Sequence, residues 1–380
     1  MTGLPHMPRR YVFWQPIPSI HQIPFLESLA ISSRSPVVYA YAEDMPAEKV
    51  ALGWSLPSST IVDMRSVNAK QADSLFAGDD KLTLHVFSGF HCHPALDRCF
   101  QKALSIPLRT AIISESYDPR GLRGILRRVR SMLDARRYGR PIEALFAMGD
   151  LGVRWFQTAG FPPEKVFPFA YAVAPPKPEQ RVAESGRPYQ LVFVGRLVHL
   201  KGIDLLLRAL ASATRLSWGL VIIGEGPLRK PLQKLAERLG IASRINWLGA
   251  VPNSRVADIV SASDLLVLPS RKDGWGAVVN ESLSVGTPVV CSLACGAADL
   301  VNDPTMGQIF VAGDIQALAG ILRQRIAAGL LPMETRREIT SRSSVFSPPA
   351  VAKYFLDVLQ AVNESMGPPP VPWRNPRRLS

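Results

Sequence analysis

Short apolar runs alternate with amphipathic segments of helical length through the second half of the chain. Such runs are typical of strands that are buried on both faces of a parallel sheet. Two of the amphipathic segments end at a glycine, Gly240 and Gly286, as helices often do. The alternation predicts an α/β domain with a doubly wound sheet. The predicted strands are Gln190–Val194, Leu220–Ile223, Ile245–Leu248, Leu265–Leu268 and Pro288–Cys291, and the predicted helices are Gly202–Ala211, Leu228–Leu239, Ser254–Ser261, Ala277–Val285 and Asp314–Ala327.

The first half alternates in the same way, with less regular spacing, which predicts a second α/β domain. The stretch Pro175–Pro188 is rich in proline and is typical of a linker. A last helix is predicted at about Pro348–Val362. The predicted strands of the first half are Tyr11–Trp14, Pro36–Tyr41, Ser59–Asp63, Leu82–Phe87, Arg109–Ser114 and Ala144–Met148, with helices at Ile23–Ala30 and Pro94–Leu104.

Length and composition agree with this picture and narrow the class of protein. The 380 residues suffice for two domains at roughly 100–200 residues each. A hydrophobic content of 47% and a charged content of 20% exclude a disordered or fibrous chain. No apolar run approaches the roughly 18 residues that span a bilayer. Met1–Arg10 lacks the apolar core of a secretion signal, and four cysteines are too few for a disulfide framework, so we expect a cytoplasmic protein.

The net charge of +13 is concentrated in two segments. Arg120–Arg140 carries eight arginines and one acid, and the proline-rich tail Gly367–Ser380 adds three arginines without an acid. We expect the tail to be extended and not packed. In the first segment the apolar residues recur along one face of a helix. They are Leu122, Ile125, Leu126, Val129, Met132 and Leu133.

Two interpretations of this basic helix remain open. An amphipathic helix with an arginine face binds an anionic membrane surface. Alternatively, the apolar face packs on the core and the basic face is merely solvated. Binding to nucleic acid is disfavoured, because no aromatic side chains alternate with the arginines.

The stretch Ser270–Val290 is the most informative for function. Asp273, Gly274, Trp275 and Gly276 form a loop that opens a predicted helix, and that helix carries Glu281. Glycines at a helix N-terminus let backbone amides approach an anion. Two carboxylates eight residues apart can accept hydrogen bonds from the hydroxyls of a sugar or a ribose. The alternative is a surface loop with solvated acids.

Two further loops follow predicted strands. One strand ends in Gly195, and Arg196 and Lys201 flank the loop that leads to the next helix, which places two cations where a diphosphate could bind. Surface basic residues are the alternative. Gly224, Glu225 and Gly226 follow the next strand without completing a dinucleotide fingerprint.

Taken in order, these motifs resemble the nucleotide-sugar-binding domain of retaining GT-B glycosyltransferases of the large family-4-like group, glycosyl transferases group 1. The resemblance covers about Gln190–Asp303. It implies that Arg196 and Lys201 hold the donor diphosphate and that Glu281 binds the ribose. Asp273 would contact the donor sugar, in a position where the family usually has Glu. The resemblance also implies donor contacts for Gly195, Gly224, Glu225, Gly226, Gly274, Trp275 and Gly276, with Trp275 where the family more often has Phe.

The first half resembles the family less. It lacks the glycine-rich loop that often follows the first strand. Where many members carry a His facing the donor sugar, this chain has Glu115, which is our candidate for a catalytic role; capping or surface exposure is the alternative. His21 is a candidate for the acceptor cleft, or is structural.

The resemblance implies a GT-B fold, in which two Rossmann-like domains face each other across a cleft. The expected parts are an acceptor domain (1–178), a donor domain (188–345), a helix that returns to the first domain (346–365) and a basic tail (366–380). We expect transfer from a UDP- or GDP-sugar to a saccharide or lipid-linked saccharide, in surface polysaccharide or glycolipid biosynthesis. We expect no metal, no cofactor and no nucleic acid, and peripheral contact with the inner face of the plasma membrane. The rival hypotheses are a sugar-nucleotide epimerase or phosphorylase on the same fold, and a basic nucleic-acid-binding protein.

Overall fold

The computed structural model describes residues 7–51, 56–76, 82–106, 108–173 and 186–374. Their contacts divide the chain into two units. The described part of the first unit comprises residues 7–47, 56–76, 82–106, 108–173 and 346–372. The second unit comprises residues 48–51, 186–345 and 373–374. The predicted linker lies mostly outside the described residues.

The first unit is built on a parallel sheet of seven strands in the order β3-β2-β1-β4-β5-β6-β7. Two of its strands, Val37–Tyr41 and Ala144–Met148, are buried at every position, which explains their unbroken apolar sequences. The strand order reverses between β1 and β4. The strands are β1 (Arg10–Gln15), β2 (Val37–Tyr41), β3 (Asp63–Ser66), β4 (Thr83–Ser88), β5 (Arg109–Ser114), β6 (Ala144–Met148) and β7 (Val166–Phe169). The helices between them are α1 (Ile23–Ser33), α2 (Ala47–Ala51), α3 (Ala69–Ser74), α4 (Pro94–Ser105), α5 (Gly121–Tyr138) and α6 (Gly149–Thr158).

The second unit has a parallel sheet of six strands in the order β10-β9-β8-β11-β12-β13. The order reverses between β8 and β11, and ligands of such sheets bind beyond the carboxyl ends of the strands at this reversal. The strands are β8 (Tyr189–Val194), β9 (Trp218–Ile223), β10 (Ile245–Gly249), β11 (Leu265–Leu268), β12 (Val289–Ser292) and β13 (Gly307–Phe310). The helices are α7 (Ile203–Leu210), α8 (Arg229–Arg238), α9 (Asn253–Ala262), α10 (Val278–Ser284), α11 (Ile315–Ala328) and α12 (Met333–Ser343).

The last helix, α13 (Pro348–Asn363), packs on α1 of the first unit. Its Phe355 stacks on Phe146 with ring centroids 4.5 Å apart and meets Phe25 edge-on at 5.5 Å. The core of the first unit therefore includes residues from the far end of the sequence. Two doubly wound α/β units confirm the predicted fold class.

Several sequence expectations need correction. The strand expected at Ser59–Asp63 lies instead at Asp63–Ser66, an edge strand with mostly exposed side chains. The pattern missed α6, β7, β13 and α12. The tail was expected to be unpacked, but Trp373 is only 1% exposed and its carbonyl accepts a hydrogen bond from Asn302 Nδ2 at 2.6 Å. The reason is that a large aromatic ring within this proline-rich segment is buried in the second unit.

Helix α5 packs through the face opposite to its apolar one. The six apolar side chains named above, from here on the apolar stripe, are all exposed. The buried positions are small or polar ones such as Gly124 and Ser131. A Cβ atom on Gly124 would lie 2.1 Å from the carbonyl oxygen of Pro119, so only glycine allows this close approach. The interpretation of the stripe as a core-facing surface is therefore wrong.

Candidate functional site

The loops after β8, β9 and β11 meet at the carboxyl edge of the second unit's sheet. Gly202 has a φ of 67°, and a Cβ atom there would lie 2.1 Å from the carbonyl oxygen of Pro269, which follows β11. Gly224 has a φ of 131°, and its Cβ would lie 2.1 Å from the carbonyl oxygen of Gly195. Glycine is thus required at both positions, because a side chain would force the loops apart.

Lys201 and Asp273 form an ion pair within this loop cluster. Lys201 Nζ lies 2.5 Å from Asp273 Oδ2, and both side chains are half-buried. Ser270 Oγ also donates to Asp273 Oδ2, at 3.3 Å. Two predicted site residues, 72 positions apart, therefore touch. The carboxylate partly offsets the positive charge that Lys201 would offer to an anion.

A second ion pair fastens the two sides of this cluster. Arg271 donates from Nη1 and Nη2 to the two carboxylate oxygens of Asp204 at 2.7 and 2.6 Å. Its Nη1 also donates to the carbonyl oxygen of His199 at 3.0 Å. Such a bidentate pair fixes geometry as well as contributing energy. Lys201 lies between His199 and Asp204 in sequence, so Arg271 positions the segment that carries it. Arg271 was not among the predicted site residues, although it lies inside the Ser270–Val290 motif.

Arg196 directly follows Gly195 and has an exposed side chain. The adjacent Leu197 is tied to the loop after β9, since its backbone amide donates to the carbonyl oxygen of Glu225 at 2.9 Å. The Glu225 carboxylate forms an ion pair with Arg229 on α8. Gly226 lies beside Leu197, whose carbonyl oxygen would be 2.5 Å from an added Cβ. The structure thus gathers the predicted residues of these two loops.

The loop Asp273–Gly276 is held from within the second unit. Trp275 is only 1% exposed, and its Nε1 donates to Asn280 Oδ1 on α10 at 2.8 Å. Its carbonyl oxygen accepts a hydrogen bond from the Ala297 amide at 2.8 Å. The indole of Trp275 is therefore enclosed within the second unit and helps to position the neighbouring Gly274 and Gly276. A donor contact of Trp275 stays a prediction.

Glu281 lies on α10, after this loop, and its side chain is half-buried. Burial disfavours the charged form and raises the pKa of its carboxyl to about 7. Near neutral pH the group is therefore a mixture of protonated and ionised forms. A ligand that donates hydrogen bonds to the ionised carboxylate would favour that form.

Glu115 and His21 belong to the first unit. Glu115 directly follows β5, and Tyr171 Oη donates to its Oε1 at 3.2 Å. Burial, and secondarily the charge of Glu115, raises the pKa of Tyr171 well above its usual range. His21 and Tyr171 line one pocket together with Phe25 and Ile113. The structure therefore groups both first-unit candidates around Tyr171, which sequence analysis missed because β7, just before it, was not predicted.

The described residues hold neither a cluster of metal ligands nor a helix that could span a membrane. Among them, no three His, Cys, Asp or Glu side chains are grouped so that they could hold a metal ion. In the same part of the chain, no helix has the length and apolar character needed to cross a membrane.

Comparison with known proteins shows what the second unit resembles. Residues 177–343 match the family described as Glycosyl transferases group 1. A D-inositol 3-phosphate glycosyltransferase from Segniliparus rotundus is 36% identical over 123 residues, which cover 31% of this chain and 27% of that protein. The chain spans about a third of the length of the curated relatives it matches.

Solved structures extend the likeness to the whole fold. Anabaena Alr3699/HepE in complex with UDP superposes with a TM-score of 0.72 at 17% identity, over 93% of this chain and 100% of that one. The lipopolysaccharide outer core galactosyltransferase WaaB gives 0.67 at 16% identity, over 93% and 99%. The chain has the GT-B fold. Within this fold, residues 177–343 resemble glycosyl transferases group 1.

Proposed function

We propose that this protein is a retaining glycosyltransferase that moves a sugar from a nucleoside-diphosphate sugar to a saccharide or lipid-linked saccharide. The observation that carries the proposal is the Lys201–Asp273 pair, which lies next to Gly195 at the strand-order reversal of the second unit. A cation and a carboxylate in contact suit a ligand that joins a diphosphate to a sugar. The UDP in the structure of Anabaena HepE supports a uridine donor.

The donor would be held by groups of opposite charge. Arg196 and Lys201 bind the diphosphate, and their charge stabilises the nucleoside diphosphate as it leaves. Asp273 accepts from a sugar hydroxyl, and Glu281 accepts from the ribose. When the diphosphate binds Lys201, the pairing between Lys201 and Asp273 loosens and the carboxylate becomes available to the sugar.

The reaction exchanges one bond at the anomeric carbon. The bond to the diphosphate oxygen breaks, and the acceptor oxygen forms a bond on the same face of the sugar. The acceptor's hydroxyl proton passes to the departing phosphate oxygen. Retention of configuration follows from this same-face attack, which the family resemblance implies.

Glu115 and His21 would serve the acceptor side of the reaction. The Tyr171 hydroxyl holds Glu115 at the end of β5, where its carboxylate can accept from a sugar hydroxyl or stabilise positive charge on the reacting sugar. We assign no metal to the reaction, because two cations at the diphosphate supply the charge that a divalent ion would otherwise provide. A lipid-linked acceptor, in surface polysaccharide or glycolipid synthesis, suits the exposed apolar stripe on α5.

Replacement of Lys201 tests the proposal. Removing one group that stabilises transition-state charge costs on the order of 100-fold or more in turnover, so Lys201→Ala is expected to lose at least that much. Lys230→Ala is the matched control, since Lys230 is an exposed lysine on α8, and it should retain wild-type rates. Sugar transfer is measured by mass spectrometry with a UDP-sugar panel in EDTA. Wild-type turnover in Lys201→Ala would contradict the assignment, and so would consumption of donor without an acceptor, which indicates an epimerase.

A further inference from the structure

The apolar stripe of α5 is a large hydrophobic surface that the chain itself does not cover. Its six side chains are between 44% and 81% exposed, with Leu122 and Leu126 the most exposed. Isolated exposed apolar residues are ordinary, whereas a contiguous patch indicates an interaction site. At about 100° per residue the stripe occupies an arc of about 120° along a helix roughly 27 Å long.

The orientation of α5 is fixed from its other side. Trp155 Nε1 donates to Ser131 Oγ at 3.0 Å, and His91 Nε2 lies 2.8 Å from Asp134 Oδ1. Both partners on α5 are buried positions. The stripe therefore faces outward because the polar face of the helix is the packed one. The helix cannot bury the stripe by rotation without breaking both contacts.

The charges around the stripe have one sign. All eight arginines between Arg120 and Arg140 are exposed. The single acid in this stretch, Asp134, lies on the packed face beside His91. Helical spacing places Arg123, Arg127 and Arg130 together along one flank of the stripe. Outward from the molecule, α5 presents apolar side chains bordered by guanidinium groups.

We propose that α5 is a docking surface for an anionic lipid bilayer, lying in the plane of the interface. The stripe would enter the boundary between headgroups and acyl chains, and the arginines would bind lipid phosphates. This combination of an apolar face and a cationic border is what such surfaces recognise. A second copy of the chain fits less well, because a two-fold pairing through the stripe brings the same basic flanks together.

The proposal goes beyond glycosyl transfer and does not depend on it. None of the residues assigned to donor binding lies on α5. A failure of membrane binding would therefore leave the donor site untouched, and a failure of the donor assignment would leave the docking surface intact.

Flotation with lipid vesicles tests the proposal. The probes are vesicles of phosphatidylcholine alone and of phosphatidylcholine mixed with phosphatidylglycerol. We expect at least tenfold tighter binding to the anionic vesicles at low salt, weakening as salt screens the arginines. Equal affinity for neutral vesicles, or no binding to either, would overturn the proposal.

Two variants locate the binding on α5. Leu126→Glu is expected to reduce binding at least tenfold, and Arg130→Gln about fivefold, since each basic residue near an anionic surface contributes about a factor of that size. Ile31→Glu is the matched control, because Ile31 is 64% exposed on α1 of the same unit. It should bind as the wild type does. Retained far-ultraviolet circular dichroism and unfolding temperature show that each variant is folded.

Two results would contradict this location. One is wild-type vesicle binding by Leu126→Glu. The other is lipid-free self-association of the wild type that Leu126→Glu abolishes in sedimentation velocity, which would assign the stripe to a second copy of the chain.

Discussion

In the proposed donor site, the ion pair between Lys201 and Asp273 would set the charge that a diphosphate meets. The two groups lie 2.5 Å apart and are half-buried, so their attraction is less screened than that of an exposed pair. A diphosphate would have to compete with Asp273 for the ammonium group. On this proposal the carboxylate is then released to the sugar, which would couple recognition of the two halves of the donor.

Asp273→Asn separates these two roles. Without the carboxylate, Lys201 no longer has this competitor for its charge, so UDP, which lacks the transferred sugar, is expected to bind several-fold tighter. Sugar transfer should fall, because the amide is a poorer acceptor for a sugar hydroxyl. Calorimetric titration of UDP and turnover measurements on the same preparation check this split. Weaker UDP binding in the variant would contradict competition between the two anions.

Glu281 predicts a pH dependence of stability. Burial raises the pKa of its carboxyl from 4.5 to about 7. A folded-state pKa above the unfolded value contributes stability that is fully present below the unfolded pKa and is lost as pH rises through the folded one. In Glu281→Gln this contribution disappears. Between about pH 4.5 and pH 7, the wild type should therefore lose roughly 3 kcal/mol more unfolding free energy than the variant does.

Urea unfolding of the two proteins across this pH range measures the difference. Parallel pH profiles for the wild type and Glu281→Gln would show that the carboxyl titrates at its ordinary value. The same variant isolates Glu281 from the other acids, since Gln keeps the shape of the side chain and removes only its titration.

At the scale of elements, the hydrophobic pattern predicts the strands that are buried on both faces of a sheet. It misses elements with a largely polar sequence. Arg109–Ser114 and Leu265–Leu268 are strands with the predicted bounds, because all of their positions except Arg109 are buried. Helix α12 has a largely polar sequence, and its buried residues include Arg336, which donates to the carbonyl oxygens of Ser261 and Ser263. Because a buried guanidinium group holds this helix in place, its sequence has no apolar periodicity from which a helix could be predicted.

Helix α5 shows a second limit of prediction from the hydrophobic pattern. Its apolar periodicity correctly predicts a helix but not the direction in which the apolar face points. That direction depends on tertiary contacts of Ser131 and Asp134 with residues far away in sequence. The contact of Lys201 with Asp273 is likewise set by strand order, which places the ends of β8 and β11 side by side.

The last helix is expected to be essential to the first unit. Phe355 on α13 contacts Phe146, Phe25 and Phe169. Its replacement by Ala removes these contacts and leaves a cavity, at a cost of about 3–5 kcal/mol. Lys353→Ala, which breaks only an exposed ion pair with Asp357 on the same helix, should stay within about 0.5 kcal/mol of the wild type. Thermal and urea unfolding measure both variants, and equal losses would place Phe355 outside the core.

At the scale of the whole molecule, two parallel sheets with the same strand order around their central reversal make up the GT-B fold. The ordered motifs of the second half predicted this domain. They also indicated that its candidate residues lie together, because each motif follows a strand and parallel strands end at one edge of the sheet. The first half offered fewer such motifs. Its grouping of Glu115 and His21 around Tyr171 became visible only once β7 was placed beside β6.

Calorimetric titration of UDP in EDTA tests whether Arg196 and Lys201 hold the donor diphosphate without a metal. The wild type is compared with the double variant Arg196→Ala/Lys201→Ala. Each charged hydrogen-bonding partner contributes about 1.5–3 kcal/mol, and 1.4 kcal/mol is tenfold in affinity. We expect the wild type to bind UDP and the double variant to bind it with at least about a hundredfold lower affinity. Equal affinity of the two proteins for UDP would contradict it.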